Sequence, residues 1–267
     1  MSKVVLITGA SSGIGKAAAE FLSAKGLKVY GTGRNPKKND NNGYSLIALD
    51  VTKPETITLA INLILEKEGC LDVLVNNAGM GITGPVEDTP TNEMRKVFET
   101  NFFGAIDMMK AVMPQMRKQQ SGTIINITSI AGYMGLPYRG VYSATKGALD
   151  LVSEAARMEV KEFGIQIATI APGDVATNIA AGRYHTPVFD NSGYKKKYQM
   201  NLDLMDSHVN SGMNPIKMAE KIYQIINLKH PNVHYKVGAF MEKFSIVLKK
   251  ILPSKIYEKL LMNHYKL

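Results

Sequence analysis

One cysteine, Cys70, stands among the 267 residues, so no internal disulfide can form and a stapled secreted scaffold is excluded. Cysteine and histidine never cluster at zinc-ligand spacing, and no metal site is expected. Met1-Ser2-Lys3 runs straight into Val4-Val5-Leu6-Ile7, without the charged region, longer apolar region and small-residue cleavage site of an export signal. No stretch reaches the roughly 18 uninterrupted apolar residues of a membrane span. A soluble protein of a reducing, cytoplasmic compartment is the expectation. Missing too are a break in composition, an internal repeat and any low-complexity stretch beyond the polar turn Asn39-Asp40-Asn41-Asn42-Gly43, so residues 1–267 read as one domain. His185, His208, His230, His234 and His264 are scattered, and none joins a carboxylate and a Ser or Cys in a hydrolase pattern. Cys70, between a helix and an apolar strand, reads as packing.

What the chain has is apolar bulk, 45% against 21% charged residues, enough for a large core. It also has an excess of cations, 32 Lys and Arg against 23 Asp and Glu, for a net charge of +9. These cluster at Lys195-Lys196-Lys197 and recur at Lys236, Lys243, Lys249, Lys250, Lys255, Lys259 and Lys266. No aromatic-interleaved nucleic-acid motif lies among them, so they read as a solvated basic surface and no nucleic-acid partner is expected.

Short runs of Val, Ile and Leu at residues 3–8, 27–31, 45–49, 71–75, 123–128, 165–171 and 233–237 alternate with segments of helical spacing. Continuous apolar strands belong to a parallel sheet covered on both faces, each connection being a right-handed crossover helix. The fold class is α/β, a Rossmann-type doubly wound parallel sheet of about seven strands. Residues 178–214 are polar and mixed and read as a long irregular lid, after which Asn214-Pro215 opens a new helix. Residues 239–267 carry Phe240, Phe244, Val247, Leu248, Ile251 and Leu252 at helical spacing, stop at Pro253 and resume with Ile256, Tyr257, Leu260 and Leu261, an amphipathic helical tail.

The first strand ends in Thr8-Gly9-Ala10-Ser11-Ser12-Gly13-Ile14-Gly15 and passes into a helix. Glycines there permit a tight turn and let a pyrophosphate approach the backbone, while the helix start offers free N–H groups and a positive dipole end. The second strand closes on Arg34, where an NAD-preferring fold carries a carboxylate for the adenosine ribose. A guanidinium donates paired hydrogen bonds to a 2′-phosphate, so Arg34 points to NADP(H) rather than NAD(H), with Lys37 and Lys38 adding to the field.

Residues 138–164 read as one helix holding Tyr142-Ser143-Ala144-Thr145-Lys146, with Tyr142 and Lys146 on one face. A phenol normally ionises near pH 10, and a neighbouring ammonium is expected to lower that value toward neutral. Such a pair alone arises freely on helix surfaces, but here Ser129 precedes it at the end of a strand, where open α/β sheets place ligands. With these companions the sequence resembles the short-chain dehydrogenase/reductase family. The matching motifs are Thr8 to Gly15, Asp50-Val51, Asn76-Asn77-Ala78-Gly79, Asn101-Phe102-Phe103-Gly104, Ser129, Tyr142 to Lys146, and Pro172-Gly173 with Thr177.

The resemblance implies an oxidoreductase moving hydride between nicotinamide and a ketone or secondary alcohol. Tyr142 would transfer the proton, Ser129 hold the substrate oxygen, Lys146 bind the nicotinamide ribose and lower the tyrosine pKa, and Asn101 steady a water linking the lysine to solvent. Gly9, Ser11, Ser12, Gly13, Ile14 and Gly15 would take the pyrophosphate and Arg34 the 2′-phosphate. Asp50 and Val51 would meet adenine, Asn77, Ala78 and Gly79 the ribose side, and Pro172, Gly173, Val175 and Thr177 the nicotinamide. Family members form homodimers or homotetramers through the Tyr-Lys helix.

Met80, Tyr133, Met134, Leu136, Pro137 and Tyr138 make an apolar, deformable wall that suits a hydrophobic ketone or alcohol better than a sugar, and the tail beyond residue 238 resembles those of family members active on steroids, retinoids or keto-lipids, which implies a small-molecule substrate of that kind. The tail has three readings: a cover for the substrate mouth or a subunit contact, packing on its own domain, or peripheral contact with an anionic membrane. Two other functions remain open: a 3-oxoacyl thioester reductase docking an acidic acyl carrier protein, and a catalytically idle NADP(H)-binding regulator.

Overall fold

The computed structural model describes residues 2–36, 43–177, 182–189, 191–210 and 212–267, the side chains of 208–210 excepted. Lys37, Lys38, most of the polar turn at 39–43 and part of the lid therefore lie outside the described residues. The first half of the chain runs β1 (Val4–Ile7), α1 (Gly13–Ala24), β2 (Lys28–Gly33), β3 (Ser45–Ala48), α2 (Pro54–Glu68), β4 (Val73–Asn76), β5 (Ile82–Thr83), α3 (Thr91–Phe98) and, after a π-helical turn at Glu99–Phe103, α4 (Gly104–Gln119). The second half runs β6 (Gly122–Ile127), a 3₁₀ turn at Ile130–Tyr133, α5 (Gly140–Glu159), β7 (Ile165–Pro172), β8 (Tyr184–His185), α6 (Lys195–Asn210), α7 (Ile216–Ile226), β9 (His234–Val237), α8 (Phe240–Ile251) and α9 (Ser254–His264).

Seven strands form one sheet in the order β3-β2-β1-β4-β6-β7-β9, every neighbouring pair parallel. All seven coincide with the apolar runs of the sequence. Because successive strand residues face opposite ways, one run serves two cores. Val4, Leu6, Leu74, Ile124 and Ile167 pack with α2 and α4 through Ile57, Ile61, Ile64, Met108, Val112 and Met116. Val5, Ile7, Val75, Ile125 and Ile170 pack on the opposite side with α1 and α7 through Ala18, Leu22, Met218, Ile222 and Ile226. The chain builds outward from β1 to β3, then crosses back to lay β4 on the other side of β1. That reversal opens a crevice at the carboxyl ends of β1 and β4, where such sheets hold ligands.

Three local features differ from the sequence reading. The catalytic-region helix α5 starts at Gly140 rather than 138, because Tyr138 takes a left-handed φ of 58°, and it gives way to a 3₁₀ turn and Gly164 at φ 70°. The described part of the lid is regular: β8 pairs with β5 in a small parallel ladder, Ile82 to Tyr184 and Thr83 to His185, and α6 follows. Helix α6 buries Tyr198, Asn201 and Met205 against a mostly polar remainder, too thin an apolar stripe to announce itself in sequence. The expected helix after Asn214-Pro215 is present, the Asn214 side chain accepting the Ile216 N–H at 2.9 Å.

The tail forms the two expected helices. Its inner face, Ile246, Tyr257 and Tyr265, packs on Ile130, Ala131, Met134 and Leu136, the wall beside Ser129. Its outer face leaves Phe240, Phe244, Val247 and Ile251 exposed. Among the described residues, no helix is long and apolar enough to cross a membrane.

Candidate active site

The glycine turn is tied to the next strand before it can meet any ligand. Thr8 is buried at the end of β1, and its hydroxyl accepts the N–H groups of Asn77 at 3.0 Å and Ala78 at 2.9 Å. The Asn77 amide donates back to the carbonyls of Thr8 and Gly9, at 3.0 and 3.1 Å. Gly13 turns at φ +56°. A Cβ on Gly15 would stand 2.3 Å from the Gly9 oxygen and 2.5 Å from Asn77 Nδ2, so only glycine lets α1 start this close to the loop. Gly15 thus supports the turn from behind, while Gly9, Ser11, Ser12, Gly13 and Ile14 line a cleft of about 810 Å³. No acidic side chain occupies the first turn of α1, and its opening N–H groups have no helical partner, so the turn fits a diphosphate.

Arg34, Asp50 and Val51 line the far end of the same cleft. Burial works to raise the Asp50 carboxyl, but the N–H and hydroxyl of Thr52, at 3.0 and 2.8 Å, with the charges of Arg34 and Lys53, outweigh it and hold the group below the usual carboxylate range. Arg34 is exposed at the mouth, free to meet a phosphate. Ala78, Gly79, Pro172, Gly173, Val175 and Thr177 complete this wall. The strand end carrying Pro172 is fixed on three sides. Gly173 N–H donates to Val237 at 2.8 Å, Ala176 N–H and Met213 N–H exchange bonds with Met213 and Asp174 at 3.0 Å each, and Asp174 N–H donates to Glu242 Oε1 at 2.7 Å.

Ser129, Tyr142 and Lys146 come together at the inner end of the cleft. Ser129 caps the 3₁₀ turn, its Oγ accepting the Ala131 N–H at 3.1 Å, and its hydroxyl is near enough to the Tyr142 phenol to favour the phenolate. Lys146 is buried, donates from Nζ to the Ile127 carbonyl at 2.9 Å, and lies 6.0 Å from the centre of the Tyr142 ring. Burial pulls its pKa down to about 8.

Burial raises the Tyr142 phenol above its ordinary value; the groups that oppose this are Ser129 and the cations Arg139 and Arg183, and Asp174 adds to the rise. The Lys146 ammonium turns to the Ile127 carbonyl beside this phenol.

Asn101 does not line the cleft. The π-helical turn rotates it into the interior, where Oδ1 accepts the Met80 N–H at 2.8 Å and Nδ2 donates to Met80 O at 2.9 Å and Thr145 Oγ1 at 3.2 Å. It thereby ties the loop after β4 to the catalytic helix, and π-helical turns of this kind cluster at functional sites. Asn77 lines the cleft, but its amide is spent on the glycine turn.

Among the cleft residues that escaped the sequence reading are two arginines. Arg139 precedes Tyr142 by one helical turn, a spacing visible in sequence, and Arg183 comes from the lid beside β8, where nothing in the chain marks it.

A glycine turn fit for a diphosphate, facing a Ser-Tyr-Lys set at the carboxyl ends of parallel strands, defines a nicotinamide-dependent oxidoreductase. The short chain dehydrogenase family model matches residues 3–187, and the chain belongs to that family. It is 38% identical over 264 residues to a 3-ketodihydrosphingosine reductase of Bacteroides thetaiotaomicron, covering 98% of each chain. Among solved structures, a short-chain dehydrogenase from Streptomyces avermitilis is 32% identical, with a TM-score of 0.82 over 97% of both chains. The structure of ElxO with NADP bound is 30% identical, with a TM-score of 0.73, covering 89% of this chain and 97% of that one. The protein is accordingly an oxidoreductase acting on CH–OH/C=O groups.

Proposed function

We propose that the protein is an NADP(H)-dependent reductase of a hydrophobic, lipid-like ketone. The observation that carries this reading is the meeting of Ser129, Tyr142 and Lys146 with the glycine turn in one cleft. The turn residues Gly9, Ser11, Ser12, Gly13 and Ile14 would hold the diphosphate, Arg34 the 2′-phosphate, Asp50 and Val51 the adenine end, and Lys146 the nicotinamide ribose. Pro172, Gly173, Val175 and Thr177 would frame the nicotinamide, which when bound supplies or accepts a hydride at the substrate carbon.

The protein's own groups manage the oxygen. Burial keeps the Tyr142 phenol protonated at neutral pH, so it arrives with a proton to give to a carbonyl oxygen gaining charge. The Ser129 hydroxyl lies beside it and donates to the same oxygen. Lys146 stands behind, its pKa of about 8 close enough to neutrality to pass a proton inward after each turnover. Asn101 holds the Met80 loop and Thr145 in register around this set, and through them positions Lys146. Support for a lipid-like substrate comes from the 3-ketodihydrosphingosine reductase among the relatives and from the apolar Met80 and Ile82 in the cleft lining; Tyr133, Met134 and Leu136 lie outside that lining and pack under the tail. Helix α5 exposes Leu151 at 67% and Met158 at 72% on its outer face, which supports a homo-oligomer built through that helix.

The test is consumption of NADPH and of NADH over a panel of long-chain keto-lipids, ketosteroids and retinoids. Tyr142→Phe is expected to lower kcat by about 10²–10⁴ while leaving the NADPH Kd nearly unchanged, and Arg34→Ala to weaken NADPH by about 1–3 kcal/mol with little effect on NADH. Near-normal turnover by the phenylalanine variant, or equal losses for the two nucleotides, would refute the respective assignment.

A further inference from the structure

Where the outermost strand β9 passes α5, three side chains converge that the cleft does not use. His234 opens β9 and pairs in register with Thr169 of β7, whose hydroxyl stands 2.9 Å from its Nδ1. Asp150 and Glu154 come from α5, one and two turns beyond Lys146. Asp150 Oδ1 lies 3.4 Å from His234 Nδ1, and Glu154 Oε1 lies 3.1 Å from Nε2. One ligand atom from each of the three residues falls within 4.8 Å of the other two. The His234 side chain is 31% exposed and that of Glu154 43%, so a small ion reaches the group from solvent.

Two carboxylates one turn apart on a helix repel each other, and among the described residues the one cation paired with either is His234. A single imidazolium neutralises only one of them. Asp150 Oδ1 is moreover buried without a hydrogen-bond partner, which costs free energy until some group satisfies it. Lys236, two residues along β9, stands over the Tyr133 ring at 5.2 Å instead. We propose that His234, Asp150 and Glu154 bind one divalent transition-metal ion of the zinc type, which fastens the edge strand β9 to the catalytic helix. A divalent charge balances both carboxylates. An imidazole nitrogen with two carboxylate oxygens suits Zn²⁺ or Co²⁺ better than Mg²⁺, which demands an octahedron of oxygens. Ligand atoms around a tetrahedral zinc stand about 3.3 Å apart, so small side-chain rotations close the set. The Thr169 hydroxyl accepts the Nδ1 proton and leaves Nε2 to the ion, an arrangement that fixes the tautomer of metal-bound histidines. A fourth position stays open to water. The sequence gives no spacing that discloses these ligands, and the expectation of no metal site arose because only the folded sheet brings β9 beside α5.

The experiment uses the full, tag-free chain, stripped of metal with a chelator and dialysed. Co²⁺ should bind at one equivalent per chain and give the visible d–d bands of a tetrahedral site, and Zn²⁺ should displace it while Mg²⁺ does not. Zn²⁺ at about a hundred times its Kd should raise the Tm by roughly 5–10 °C, and chelator should reverse the rise. His234→Gln, Asp150→Asn and Glu154→Gln, each close in shape to the residue it replaces, should lose the bands and weaken Co²⁺ binding at least about tenfold, whereas Thr169→Val should weaken it about tenfold with the bands kept. The Tm of each variant in chelator shows whether it is folded, and where one is not, the other two decide. Co²⁺ binding that the folded variants retain, or a wild-type Tm that Zn²⁺ leaves unmoved, would overturn the proposal. So would a Tm difference between wild type and His234→Gln that is as large in chelator as in Zn²⁺, which identifies an imidazolium held between two carboxylates in place of a metal.

Discussion

At the scale of the residue, Lys146 shows how a functional group is kept at the expense of stability. Its ammonium is buried at the end of a strand, with one carbonyl partner and a pKa of about 8, against 10.5 for a free lysine. Because the folded protein gives up this proton earlier than the unfolded chain, the unfolded chain binds more protons between pH 8 and 10.5. Stability contributed at this site therefore rises with pH across that window, by about 3 kcal/mol in all. Below pH 8 the buried charge is a net cost. Lys146→Met is thus expected to resist denaturant better than wild type at pH 7, with the advantage shrinking as the pH is raised toward 10.5. Tyrosines with raised pKa, such as Tyr30 and Tyr133, are common to both proteins and cancel in the difference. Urea unfolding of the two proteins, without added nucleotide, at several pH values reads this directly, and a difference that stays flat with pH would show that Lys146 is not buried as a charge.

At the scale of the element, the tail helix α8 reaches the nucleotide cleft through one side chain. Glu242, in the first turn of α8, accepts the Ala239 N–H at 2.6 Å and the Asp174 N–H at 2.7 Å. Gly173 and Gly238 make room for it, since a Cβ on either would stand within 2.1 and 2.5 Å of its Oε2. Each bond to a carboxylate is of the stronger, charge-assisted kind, about 1.5–3 kcal/mol. Glu242→Ala is expected to lower the Tm and to weaken NADPH binding together, because the Pro172–Asp174 turn loses its anchor. Calorimetry and a fluorescence titration check this, and an unchanged NADPH Kd would separate the tail from the cleft. Elements of this protein were legible in sequence where the signal was local. All seven sheet strands are short apolar runs, Pro253 marks the break between α8 and α9, and the Ser129, Tyr142 and Lys146 set lies on one strand end and one helix. What escaped depends on contacts between distant segments: the two-residue β5–β8 ladder, the π-helical turn that buries Asn101, the sparse inner face of α6, and the meeting of Arg183 with Tyr142. Neither periodicity nor composition encodes which loop folds over which helix, so the glycine turn was legible in sequence, Gly15 behind it excepted, while the substrate end could be read only as apolar.

At the scale of the whole molecule, the tail has two faces with different tasks. Its inner face packs on Ile130, Ala131, Met134 and Leu136, with Tyr265 holding Arg139 through its hydroxyl and accepting the Asn201 amide at 3.0 Å through its carbonyl. Its outer face presents Phe240 at 72% and Ile251 at 67% exposure in one row with Phe244 and Val247, the two phenylalanine rings stacked at 5.6 Å. Lys243, Lys249 and Lys250 interleave with this row, and the chain as a whole carries +9. An apolar row edged by lysines matches an anionic lipid surface, where each nearby cation adds about 1 kcal/mol. The wild-type protein is expected to float with liposomes containing phosphatidylglycerol, to remain behind with pure phosphatidylcholine, and to be released by salt. Phe240→Ser with Phe244→Ser should abolish flotation without disturbing the inner face, which removal of the tail would destroy along with the Arg139 contact. If the double variant instead converts an oligomer to a monomer while flotation was never seen, the row is covered by a second copy of the chain and the lipid contact is excluded.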